Sequence, residues 1–191
     1  MRVERIEDGL WRWTGLHPEW TPDSDWEEEV GCVYYEASDA IVLFDPLVPP
    51  EDTGGFLAAL ERDLERTGRP LAILFTLPWH ARSAGMLVEL YGATVGARPP
   101  GEVSTFRITA TGGEDETLFW LPGPRALVAG DVLLGDPLRL CPDSWLPEEL
   151  RDAPVRESLR PLLDLPIERV LTAHGEPVLE GGRDALAELL A

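Results

Sequence analysis

Leu71-Ala72-Ile73-Leu74-Phe75-Thr76-Leu77-Pro78-Trp79-His80-Ala81-Arg82-Ser83 reads as a strand that runs into a loop carrying chemistry. Five consecutive apolar residues, 71–75, have strand length and no polar alternation, which predicts a strand buried on both faces. Gly68 and Pro70 stand just before it and close a preceding segment in which Phe56, Leu57, Leu60 and Leu64 recur at helical spacing. After the loop, residues 84–91 predict a short helix and 93–96 a short strand. This stretch therefore has the order helix, buried strand, loop, helix, strand.

Upstream the pattern is all strand. Residues 3–6 alternate, Asp8-Gly9 is a hairpin signal, and Leu10-Trp11-Arg12-Trp13 continues beyond it. Residues 30–36 and 40–44 form a second predicted hairpin across Ala37-Ser38-Asp39, ended by Asp45-Pro46. Between the hairpins, residues 16–29 form a loop with Trp20, Trp26 and a run of acids. Downstream, residues 103–110, 117–121, 126–129 and 169–172 predict strands. Residues 146–163 predict a helix broken by Pro154 and Pro161, and 184–190 a closing helix. There is no repeat and no linker composition. Strands first, then alternating helix and strand twice over, predict one domain over residues 1–191 of α/β (α+β) class: a four-layer αββα sandwich with two sheets face to face and helices outside.

Composition narrows the functions. Acidic residues number 35 against 16 basic, a formal charge of −19, and every basic residue is Arg. With no Lys, Schiff-base chemistry, a pyridoxal-phosphate anchor and a Gly-Lys phosphate loop are excluded. The negative field disfavours nucleic acid, anionic lipid and phosphodiester substrates. Cys32 and Cys141 fit no metal spacing and read as buried thiols of a reducing compartment. No apolar run reaches membrane-span length and no signal core precedes the first strand, so a cytoplasmic protein without a membrane partner is expected. No sequence feature bears on oligomeric state.

Chemistry concentrates at predicted strand ends. Of three histidines, His80 and His174 follow predicted strands, as does Asp131 in Leu127-Val128-Ala129-Gly130-Asp131. Strand ends are where sites assemble in layered α/β folds.

These segments, in this order, resemble the metallo-β-lactamase fold superfamily over nearly the whole chain. The resemblance rests on Leu43-Phe44-Asp45-Pro46, on the segment from Leu74-Phe75-Thr76 onward, on Ala129-Gly130-Asp131 and on Leu171-Thr172-Ala173-His174-Gly175-Glu176-Pro177. The superfamily's T-H-x-H-x-D-H motif supplies zinc ligands. Here Leu77 and Trp79 stand at the first two histidines, and Ala81 and Arg82 at the aspartate and last histidine. No histidine occurs near Thr111-Gly112-Gly113-Glu114, where another ligand falls in the family. Asp131 matches the bridging aspartate and His174 the final histidine.

Two ligands are fewer than the three a catalytic zinc takes. The resemblance thus implies a degenerate site and a metal-free pseudoenzyme or small-ligand-binding protein, with no cofactor. Its candidate pocket is Trp79, His80, Arg82, Asp131 and His174. In this reading Arg82 faces Asp131 and its fixed charge replaces the metal, while Trp79 fills vacated space, covers the groove or is core. The alternative is a hydrolase of esters, thioesters or amides with zinc or another divalent transition metal held by Asp131, His174 and a third ligand, either a shifted His80 or an oxygen of Glu114 or Glu116. A third is metal-free acid–base catalysis by His80, His174 and Asp131, with Arg82 stabilising an anion. In the loop 16–29, His17, Trp20 and Trp26 are either pocket lining behind an acidic rim or anchors docked on a sheet. An acidic rim suits a small neutral or cationic ligand.

Overall fold

The computed structural model describes residues 1–96, 99–135 and 137–191. The chain divides into two compact units, residues 1–103 and 104–191. No described helix is long and apolar enough to cross a membrane.

The first unit is a six-stranded sheet with strands in sequence order. Strands β1 (Arg2–Glu7), β2 (Leu10–Leu16), β3 (Glu29–Glu36) and β4 (Ile41–Phe44) form an antiparallel meander, and β5 (Leu71–Leu74) and β6 (Thr94–Val95) add parallel to it. The apolar run that opens the decisive segment is the strand β5, buried throughout. Its parallel register with β4 aligns Phe44 with Leu74, so Asp45 and the residues after Leu74 emerge at the same end. Helix α1 (Thr53–Thr67) is longer than its apolar spacing predicts. Phe56, Leu57, Leu60 and Leu64 pack it on the core built around Trp13, Tyr34, Leu43 and Ile73. Gly68 ends it in the left-handed conformation, its N–H donating to the Leu64 carbonyl. Helix α2 (Ala84–Tyr91) lies where the sequence predicts it.

The second unit is a four-stranded sheet. Strands β7 (Ser104–Thr109), β8 (Asp115–Leu121) and β9 (Ala126–Ala129) run antiparallel in turn, and β12 (Arg169–Thr172) pairs parallel with β9. A hairpin of β10 (Leu133–Leu134) and β11 (Arg139–Leu140) follows β9; two-residue strands leave no alternation for sequence to reveal. The predicted broken helix divides at its prolines. Pro154 opens α3 (Ala153–Leu159), where a missing N–H costs nothing, and Pro161 begins a 3-10 turn at 160–164. Helix α4 (Gly182–Leu189) closes the chain. The core of this unit contains Leu118, Leu127, Leu133, Leu159 and Val170.

Candidate functional site

The two sheets each bring buried polar groups to strand ends. In the second unit the parallel pairing of β9 and β12 sets Ala129 opposite Thr172. Two residues beyond each strand lie Asp131 and His174, so their proximity follows from register. His174 Nε2 stands 3.4 Å from Asp131 Oδ1, and the residues are 6% and 7% exposed. That spacing exceeds the roughly 2.7–2.9 Å of a charge-assisted hydrogen bond. It matches the donor–donor edge of about 3.3–3.4 Å in a tetrahedral ion site with bonds near 2.0–2.1 Å. The donor chemistry and spacing on this unit therefore fit two adjacent ligands of one divalent ion.

Both halves of this pair are held by main-chain anchors. Glu116, fully buried on β8, accepts hydrogen bonds from Gly130 N (2.9 Å) and Val132 N (3.0 Å). Its carboxylate clamps the peptide groups on either side of Asp131. Glu116 is therefore committed as an anchor, which corrects its expected role as an oxygen donor to a metal; Glu114 is exposed. The His174 carbonyl accepts from Gly135 N (2.9 Å) and from the Thr172 hydroxyl (2.9 Å). Gly175 follows with φ +78°, a conformation glycine adopts without strain. Gly135 permits a close backbone approach: a Cβ there would stand 2.0 Å from the Glu176 carbonyl oxygen. Gly135→Ala is accordingly expected to displace the His174 loop. The check is a thermal melt and amide exchange at 172–176, where unchanged protection would contradict this packing. The Trp145 ring meets His174 at 5.8 Å between centroids.

In the first unit His80 is held as firmly. It lies in a 3-10 turn, Pro78–Ala81, and is 3% exposed. Its Nδ1 is 3.0 Å from Asp45 Oδ2 and 2.8 Å from Thr76 Oγ1. The Thr76 hydroxyl donates to Asp45 Oδ2 (2.5 Å) and the Thr76 N–H to Asp45 Oδ1 (2.8 Å). With acceptors on that side, the ring proton belongs on Nδ1 and the lone pair on Nε2. A carboxylate behind Nδ1 is the arrangement that orients imidazole as a ligand or base. Asp45 takes φ +50°, a left-handed conformation that Asp and Asn tolerate. Sequence reasoning used Asp45 as a strand terminator and as one mark of the resemblance, with no role in the site; its place directly after a buried strand was the signal of a further role.

Arg82 departs from expectation. Its Nη1 donates to the Asp45 carbonyl (3.0 Å), at longer range to the Gly31 carbonyl (3.5 Å), and approaches Cys32 Sγ (3.7 Å). The guanidinium is spent on carbonyls and a thiol of its own unit, not on a carboxylate. The expected two-bond ion pair with Asp131 is replaced by support of the Asp45 turn. Arg82 has φ +36°, which a non-glycine residue rarely adopts and which stores strain of about 1–3 kcal/mol.

Trp79 is 47% exposed, so it is not core. Ser83 Oγ accepts from Val48 N (2.9 Å), a structural use. Burial raises both thiols, Cys141 to about 12 with Glu116 and Asp131 adding to the effect, so neither is a ready nucleophile at neutral pH. In the loop between β2 and β3, Trp20 Nε1 donates to the Trp26 carbonyl (2.7 Å) and His17 meets Trp26 edge-on at 5.0 Å. Trp26 packs against the first unit's core while Asp23, Asp25, Glu27, Glu28 and Glu29 face solvent. The tryptophans anchor the loop.

No protein-family model matches the sequence, and no curated protein matches it. Solved structures do match. A metallo-β-lactamase from Erythrobacter litoralis is 16% identical, covers 98% of this chain and 89% of its own, and superposes with a TM-score of 0.63. The DIM-1 metallo-β-lactamase, in a crystal exposed to ceftazidime, is 12% identical over 99% of this chain and 95% of its own, with a TM-score of 0.60. A metallo-β-lactamase family protein from Thermus thermophilus is 16% identical over 97% of this chain and 79% of its own, with a TM-score of 0.54.

Proposed function

Because this chain has the metallo-β-lactamase fold, we propose that it is a divergent hydrolase of ester, thioester or amide bonds that depends on one divalent transition metal. Asp131 and His174 are two of its donors. The observation that carries this reading is the Asp131–His174 spacing of 3.4 Å, set by strand register and held from behind by Glu116. Within its own unit the His80 ring is oriented by the fixing of its Nδ1 on Asp45 and Thr76. When bound, the ion supplies Lewis acidity and a water with a pKa near 7. The chain's own contribution is orientation: Asp45 and Thr76 set the His80 ring, and Glu116 fixes the turn bearing Asp131. A formal charge of −19 favours neutral or cationic substrates over phosphodiesters.

The rival reading, a metal-free small-ligand-binding protein, is favoured by the burial of Leu77, 1% exposed, where the motif has a histidine. Its electrostatic premise was an arginine facing Asp131, and the hydrogen bonds of Arg82 go to the Asp45 turn instead.

The test is hydrolysis of p-nitrophenyl esters and a thioester by metal-stripped protein with and without added Zn²⁺ or Mn²⁺. A metal-dependent rate that Asp131→Asn lowers at least about 100-fold supports the hydrolase. Equal rates in the two proteins reject it.

A further inference from the structure

The first unit contains a cavity that shares no residue with the site above. It lies between the outer strands β1 and β2 and the helix α1 and measures about 350 Å³, within the roughly 300–1,000 Å³ of small-molecule sites. Cross-strand register explains its walls. Val3 pairs with Trp13 and Arg5 with Trp11, which puts these side chains on one face of the hairpin. Trp11, Trp13, Tyr34 and Phe56 supply four aromatic rings to the lining. The Trp13 and Phe56 rings lie 5.2 Å apart and tilted by 49°, and Trp13 Nε1 donates to the Leu47 carbonyl (2.9 Å), so the polar edge of that indole is already satisfied.

The charges at the cavity are specific. Asp52 and Asp63 both line it. Asp63 accepts from Arg66. Asp52 makes no capping hydrogen bond to α1; it lies over Gly55, where a Cβ would stand 2.5 Å from its Oδ1. Arg62, the lining arginine, is exposed to solvent, and the Met1 ammonium is taken up by Glu51. The face of Trp11 already carries a cation, with the Arg5 guanidinium 5.9 Å from the ring centroid.

We propose that this cavity binds a small organic cation with an aromatic or branched apolar body, its charge beside Asp52 and its body among the aromatic rings. Three features favour a cation: four aromatic rings in the lining, a carboxylate without a capping duty, and a formal charge of −19 on the chain. Ala59, on the α1 wall, faces the same space and is a point at which it can be filled.

The experiment is a titration of the full chain with benzyltrimethylammonium, read by tryptophan fluorescence and by calorimetry. Benzyl alcohol and 4-phenylbutyrate serve as neutral and anionic comparisons. Saturable binding of the cation is expected, at least about tenfold tighter than either comparison. Ala59→Leu should remove it. Asp52→Asn, a surface change that leaves the fold intact, should weaken the cation about three- to tenfold while leaving benzyl alcohol unaffected. Absence of saturable cation binding, tighter binding of phenylbutyrate, or an unchanged cation affinity in either variant would overturn the proposal.

Discussion

Glu116→Ala is expected to cost about 3–5 kcal/mol of stability. The carboxylate is fully buried and accepts from two main-chain donors, Gly130 N and Val132 N. Deleting an acceptor strands a buried donor at about 1–3 kcal/mol each, and the vacated side-chain volume adds a cavity term. At this chain length each kcal/mol is worth about 2–4 °C, so the melting temperature should fall by roughly 10 °C. Glu116→Gln keeps one oxygen and should fall between the two. Its amide NH₂ cannot accept, so one of the two N–H groups loses its partner. Urea denaturation with amide exchange at Gly130 and Val132 checks this. A change under about 0.5 kcal/mol, within the range of ordinary surface substitutions, would mean that the Asp131 turn holds its shape without Glu116.

The second large effect belongs to Asp45. Its carboxylate accepts from Thr76 N, Thr76 Oγ1 and His80 Nδ1. Asp45→Asn tolerates φ +50° as well as aspartate does, so the backbone stays and the electrostatics change. One oxygen remains for the Thr76 N–H, while the new amide NH₂ faces the Thr76 hydroxyl and the His80 ring. His80 should then lose its bias toward a proton on Nδ1. Loss of such an orienting carboxylate typically lowers metal affinity or activity about 10–100-fold. Nitrogen chemical shifts of the His80 ring report the tautomer directly. The expected result is Nδ1–H in the parent and a shift toward Nε2–H in the variant. The same tautomer in both would remove Asp45 from the account.

The fold was legible in the chain because its largest signals are local. The apolar run 71–75 marked the buried strand β5, and Gly68 with Pro70 marked the end of α1. Asp131 and His174 were legible too, since both follow buried strands and parallel register brings strand ends together. The failures have a physical cause. Arg82 was read as a partner of Asp131 from motif position, but a long side chain binds wherever an acceptor is presented, and the Asp45 turn presents its carbonyl. Glu116 was one of two carboxylates read as an oxygen donor, near the place where the family has a histidine. Its role as a clamp depends on which residues β8 sets against the β9 exit, and sequence spacing does not carry that. Asp45 and Thr76 escaped notice as a unit because their contact spans 31 positions of chain.

Zinc uptake by metal-stripped protein tests the central claim most directly. Calorimetric titration of the parent should show one ion per chain, and the Asp131→Asn and His174→Ala variants should each weaken that event at least about 100-fold. No uptake by the parent, or uptake that both variants retain in full, would contradict a metal held by Asp131 and His174.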